Sequence, residues 1–214
     1  MAMKTMDDLF VHTLRDVYYA EKKALKGMRA MQRKAASDEL ASLIEAHREE
    51  TEGQIETLTK VFESLGLRPR GVTCDAINGI VDEAQELMEE SADDAVRDAA
   101  IAAAAQAVEH YEIARYGTLV SWAETLGHAD AASMLSQIRD QEIAADRKLT
   151  KLATGTLNAA ARGTAAEPAE SDDDAPPGEN AEMEADDDED EIGETHGSQR
   201  KPSGKAKRST SKAA

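Results

Sequence analysis

The sequence predicts an all-α fold: a four-helix bundle whose crossover connection contains a short extra helix, followed by a disordered C-terminal tail. Three observations carry this reading. Only 3% of the 214 residues are aromatic although 41% are hydrophobic, and a composition poor in aromatic and β-branched residues disfavours a sandwich or barrel. Apolar residues recur at three- and four-residue steps over four long stretches, the period of an amphipathic helix. Beyond residue 163 that pattern stops and charge takes over.

The elements follow in order. Phe10, Leu14, Val17, Leu25 and Met28 form the stripe of helix A over residues 5–36, with Thr5 and Asp8 spaced as a capping box. Ser37 can cap helix B, whose stripe runs through Leu40, Leu43, Leu58, Val61 and Leu65 and stops at Gly66, a residue suited to the left-handed position after a helix. Pro69 and Gly71 mark a loop, and residues 75–90 read as a shorter helix through Ile77, Ile80, Val81, Leu87 and Met88. Helix C spans residues 94–126, Ala-rich and unbroken, with Val96, Ile101, Val108, Ile113, Val120 and Trp122, and stops at Gly127. Helix D runs from Asp130 to about Asn158 through Met134, Leu135, Ile138, Leu149 and Leu152. Two helical hairpins joined by a long helix-bearing connection describe the ferritin-like topology. The domain is expected to occupy residues 1–163.

The net charge of −18 divides unevenly. Residues 164–194 hold 15 acids and no base, residues 200–214 hold six bases and no acid, and residues 1–163 carry −9. The acidic run has too few apolar side chains to bury, so residues 164–214 are expected to be a disordered acidic tail with a basic tip. Six bases beside fifteen acids are mostly self-screened, so nucleic acid is not an expected partner. No run approaches the roughly 20 apolar residues of a membrane span, and Lys4, Asp7 and Asp8 interrupt any signal-peptide core. A soluble, cytoplasmic protein without a membrane partner is expected. The single Cys74 excludes an intramolecular disulfide and thiolate-rich metal sites, and no phosphate-binding loop or hydrolase triad stands out.

Chemistry is legible where polar residues interrupt the apolar stripes. Glu21 falls among the core positions of helix A; His47, Glu50 and Gln54 interrupt helix B; Glu109, Glu112 and Tyr116 share a face of helix C; Glu142, then Ala145 or Asp146, interrupt helix D. A rise of 1.5 Å per residue puts Glu109 and Glu142 about 27 and 22 Å from the turn at Gly127, and Glu21 and Glu50 about 24 and 20 Å from Ser37. Each pair is level within about one turn, and Gln54 is level with Glu21 as well. A single glutamate at a stripe edge is ordinarily solvated; four at one height on facing helices would repel in a dry core unless protonated or joined by cations. Oxygen-rich sites suit iron or manganese. Bundle di-metal sites use one Glu from each of two helices and Glu-x-x-His from the other two. Helices A and C fit that pattern, whereas His47-x-x-Glu50 reverses the order and helix D has no His. The candidate metal ligands are therefore Glu21, His47, Glu50, Gln54, Glu109, Glu112, Glu142 and Asp146. Tyr18, Tyr19, Tyr111 and Tyr116 read as packing residues around this level, and His12, His110 and His128 receive no role.

The stretches Tyr19-Ala20-Glu21-Lys22, Glu49-Glu50-Thr51, Gly53-Gln54-Ile55-Glu56, Val96-Arg97-Asp98-Ala99-Ala100 and above all Val108-Glu109-His110-Tyr111-Glu112-Ile113-Ala114 resemble the YciF family of bacterial ferritin-like stress proteins over about residues 1–160. The resemblance implies a helical, usually dimeric domain, linked to stress responses and carrying a di-metal centre. The Glu109-x-x-Glu112 pair also looks like that of rubrerythrin-type peroxidases; the absence of Glu-x-x-His on helices B and D and of a rubredoxin-like cysteine domain departs from them, so electrons would come from outside. Two readings stay open. In the first, a di-iron or di-manganese centre reacts with dioxygen or peroxide, with Glu109 or Glu112 bridging, Glu21, Glu50 and Glu142 terminal, and His47, Gln54 and Asp146 on or beside the metals. In the second, the chain is a stress-induced structural or interaction bundle with a vestigial or purely structural metal site. Iron storage in a shell is a third and weaker reading, since a cage would have to accommodate the tail.

Overall fold

The computed structural model describes residues 3–163; the expected tail lies outside the described residues. Five helices longer than two turns account for nearly all of this part, with no strand among the described residues. They are α1 (Met6–Lys34), α2 (Asp38–Ser64), α3 (Asp75–Glu90), α4 (Asp94–Thr125) and α5 (Ala129–Leu152). Helices α1 and α2 pack as one hairpin and α4 and α5 as another, while α3, in the crossover, lies against α1 and α4. The fourth bundle helix does not run unbroken to Asn158: a π-helical turn (Ala153–Leu157) leads from α5 into a short α6 (Asn158–Gly163).

The helix ends are set by local chemistry. Thr5 Oγ1 accepts from the Asp8 amide at 3.0 Å and Asp8 accepts from the Thr5 amide at 3.1 Å, completing the expected capping box. Ser37 caps α2 through the Leu40 amide, and Asp93 caps α4 through the amides of Ala95 and Val96. Gly66 and Gly127 follow α2 and α4 with φ of +69° and +78°, a conformation that costs glycine nothing. Asp98, buried one turn into α4, accepts the backbone N–H groups of Ala36 and Ser37 at 2.8 Å each. The second hairpin thereby fastens the turn of the first.

The core falls into two apolar clusters. One gathers Phe10, Leu14 and Val17 with Leu58, Phe62, Leu119 and Leu135; the other gathers Ala24, Met28 and Met31 with Leu40, Ile44, Ile101, Val108 and Leu149. Along each of the four long helices the residues between the clusters are polar: Glu21 on α1, His47, Thr51 and Gln54 on α2, Glu109 and Glu112 on α4, Glu142 on α5, all buried. Several stripe residues differ from expectation. Leu25, Leu43, Leu65, Ile113 and Trp122 are only half-buried and Val96 is exposed. Ala24 takes the place beside Met28 because seven residues after Val17 is nearer two whole turns than eight, and Val96 stands in the first turn of α4, where little packs over it.

Candidate metal centre

Seven buried side chains converge in the polar layer. His47 Nε2 lies 3.0 Å from a Glu109 carboxylate oxygen and 3.5 Å from Glu142 Oε2. The Gln54 amide donates to Glu142 Oε1 and to Gln141 at 3.2 Å, and the Tyr116 hydroxyl donates to Glu21 Oε1. Donor atoms of His47, Glu109 and Glu142 all lie within 4.8 Å of one another, as do those of Glu21, Glu112 and Glu142. The two clusters share Glu142. One oxygen each of Glu21, Glu109, Glu112 and Glu142, together with His47 Nε2, is fully buried without a well-directed hydrogen bond. Such atoms are destabilising unless something positive stands before them.

Electrostatics agree. Burial pushes the Glu21 carboxyl up to about 8, with the Glu142 charge adding to the rise and the Tyr116 hydroxyl opposing it. Burial raises Glu142 to about 9, reinforced by Glu109, and Glu109 to about 7. Glu112 is held well above the usual carboxylate range by burial and by Glu21, Glu142 and Glu109. In the protein alone, burial therefore favours the protonated form of these carboxyls.

Of the expected ligands, the structure brings together Glu21, His47, Gln54, Glu109, Glu112 and Glu142. Glu50 and Asp146 lie outside the two clusters. His47 and Gln54 are seven residues apart and share a face, which leaves Glu50 on its edge: one of its oxygens meets His47 Nδ1 at 3.3 Å and the other Lys148 Nζ at 3.6 Å. On α5 the inward stripe runs Ile138, Glu142, Ala145 and Leu149, so Asp146 falls on the flank, where it accepts from Gln106 at 3.0 Å and contacts His110 Nε2 at 3.1 Å. The carboxylate common to the two clusters is Glu142, while Glu109 and Glu112, the expected bridging residues, belong to one cluster each. The tyrosines do more than pack: Tyr116 binds Glu21, Tyr111 bridges Asp16 at 2.8 Å and Cys74 Sγ at 3.0 Å, and Tyr19 donates to Asn78 at 3.0 Å. Sequence reasoning passed over Thr51, whose hydroxyl bonds back to the His47 carbonyl at 3.0 Å; its spacing of four from His47 was the available signal.

The donor set fits a pair of divalent cations. It offers one imidazole nitrogen and carboxylate oxygens, which suit iron or manganese. An octahedral ion with bonds of about 2.1 Å sets neighbouring donors about 3 Å apart and opposite ones about 4.2 Å, within the observed spread. His47 presents Nε2 to the cluster while Nδ1 faces the Glu50 carboxylate, the arrangement that fixes tautomer and ring in metal-ligating histidines.

Comparison with known proteins agrees with the fold. A family profile described as a domain of unknown function (DUF892) matches residues 5–162. YciF of Escherichia coli is 45% identical over 159 residues, covering 74% of this chain and 96% of YciF. The crystal structure of that protein, described as a stress protein, superposes with a TM-score of 0.70 at 44% identity over 73% of this chain and 99% of the other. YcfI of Rhodopseudomonas palustris, described as a candidate structural protein, gives a TM-score of 0.68 at 51% identity over 69% of this chain and 94% of its own. A protein of Xanthomonas campestris gives 0.57 at 26% identity over 74% and 98%. With a match running from the first helix to the last, at the same helical fold, this chain belongs to the YciF family, the DUF892 domain family.

Proposed function

We propose that this chain is a stress-response protein whose central layer holds a dinuclear iron or manganese centre that reacts with dioxygen or peroxide. The observation that carries this reading is the pair of three-residue clusters sharing Glu142, with unpartnered buried oxygens facing one another. His47, Glu109 and Glu142 would hold one ion and Glu21, Glu112 and Glu142 the other. A ferrous pair held there would supply the two electrons that, with two protons, reduce dioxygen to hydrogen peroxide or hydrogen peroxide to two waters. Tyr116 holds Glu21, Gln54 holds Glu142, and the apolar clusters above and below keep bulk water from the layer. The test is anaerobic ferrous titration of metal-free protein followed by dioxygen or peroxide. Two irons per chain and a new near-ultraviolet band are expected; absence of tight binding sinks the reading.

A second reading has its own support. The raised carboxyls of Glu21, Glu112 and Glu142 let protons alone settle the layer, and YcfI is described as a candidate structural protein. In that case the bundle serves as a structural or interaction protein and its metal is structural or vestigial, so purified protein would carry no stoichiometric redox metal. A cytoplasmic homodimer is part of the proposal in either form, and light scattering reports the dimer. No described helix is long and apolar enough to cross a membrane.

A further inference from the structure

We infer that the centre is fed through an apolar cavity that admits dioxygen in preference to hydrogen peroxide; this rests on the metal-centre reading above. The cavity lies among all five long helices, against Ala24, Gly27, Leu43, Val81, Val108 and Leu149, and the centre of a water-sized molecule ranges over about 20 Å³ within it. Its polar lining is His47 and Glu109 alone. Both are buried members of one ligand cluster, with His47 Nε2 3.0 Å from a Glu109 carboxylate oxygen. Gly27, Met31 and Val81 line both this cavity and the surface groove between α1 and α3, and the proposal sets its outer end there. Such a passage would run from the groove to His47 and Glu109 along side chains that offer no hydrogen bond.

Chemistry selects the occupant. Apolar cavities of this kind stay dry and take up nonpolar guests such as xenon. Dioxygen has no hydrogen bonds to surrender on entry and is small enough for the space. Hydrogen peroxide must leave its hydrogen-bonded shell in water with no partner along the apolar wall, which disfavours entry. The narrowness also excludes an acyl chain or aromatic ring without movement of the helices. Gly27 keeps the outer end open: a Cβ built on it would lie 3.5 and 3.6 Å from the two Val81 methyl groups, so alanine is tolerated and a larger side chain has to enter the passage.

The test uses the full chain in two arms. Xenon-pressurised crystals of the metal-free protein should show xenon between Gly27, Leu43 and Val108 in the wild type and none there in Gly27→Leu; an empty cavity in the wild type overturns the inference without bearing on metal binding. Stopped-flow oxidation of the ferrous-loaded protein forms the second arm. Gly27→Leu should bind iron as the wild type does, yet react with dioxygen several-fold more slowly, with its peroxide rate unchanged. Leu43→Trp closes the passage from α2 and should reproduce the result should Gly27→Leu fail to fold. An unchanged dioxygen rate in a xenon-blocked variant, or equal slowing with both oxidants, overturns the proposal. Failure of the wild type to bind iron sinks the metal-centre reading instead, and the xenon arm separates the two.

Discussion

The Gln54 side-chain amide donates to Oε1 of Glu142, the one carboxylate common to both ligand clusters. Its other oxygen is left without a hydrogen bond and points toward His47 Nε2, 3.5 Å away. Glu142 is thus oriented from α2 while its free oxygen faces the site. Glu142→Gln keeps the size of the side chain and removes the charge both ions would share. Iron stoichiometry is expected to fall from two to one or none per chain. Because a buried carboxyl that resists ionisation is gone, the metal-free variant should melt above the wild type at pH 8. Retention of two tightly bound irons would show that the shared position is not essential.

The raised carboxyls make stability depend on pH with a definite sign. Glu142 and Glu21 hold their protons in the fold up to about 9 and about 8, whereas an unfolded chain gives them up near 4.5. Between those values the folded state binds more protons, so metal-free protein loses stability as pH rises through the window from about 4.5 to about 9. The slope is about 1.4 kcal/mol per pH unit for each carboxyl that only the unfolded chain has ionised. Cations that replace these protons should bind more tightly as pH rises and flatten the dependence. Melting temperatures from pH 5 to 9, with and without manganese, check both signs; a metal-free midpoint that climbs across that range would contradict them.

Tyr116 is fully buried and donates a hydrogen bond from its hydroxyl to Glu21. Tyr116→Phe leaves that oxygen without a donor, a loss of about 1–3 kcal/mol in stability. Only the cluster of Glu21, Glu112 and Glu142 is touched directly, so ferrous titration should separate into two phases, one near wild-type affinity and one weakened. Equal weakening of both would mean that the ions bind as one inseparable unit.

The fold was legible because its signals are redundant: Thr5, Ser37, Gly66 and Gly127 each mark a helix end and each acts as such in the structure. The candidate site was legible as a level in the bundle, since a buried Glu21 or Glu142 interrupts an otherwise apolar stripe. Exact membership was not. A step of three residues turns a helix about 60° short of a full circle, enough to swing Glu50 to the rim while His47 and Gln54 stay inside, and sequence spacing alone does not say which of the three leads. The roles of Tyr116 and Asp98 depend on partners 95 and about 60 residues distant, and such pairings have no local signature.

Glu50 offers the sharpest division between a ligand and a residue that positions one. Its carboxylate is half-exposed, touches His47 Nδ1 at 3.3 Å and is held from the other side by Lys148. It belongs to neither cluster. Through its contact with Nδ1 it stands to hold the His47 ring with Nε2 turned inward. Removing such a partner typically weakens metal binding about 10–100-fold while leaving the stoichiometry intact. Glu50→Ala should therefore still bind two irons, with lower affinity at the cluster of His47, Glu109 and Glu142, and Glu50→Gln should recover part of the loss because an amide oxygen can still accept from Nδ1. His47→Leu removes the nitrogen itself and should abolish that cluster's ion. Calorimetric titration of the three variants reads the difference, and a complete loss of one ion in Glu50→Ala would make Glu50 a direct ligand, with α2 rotated from the orientation described here.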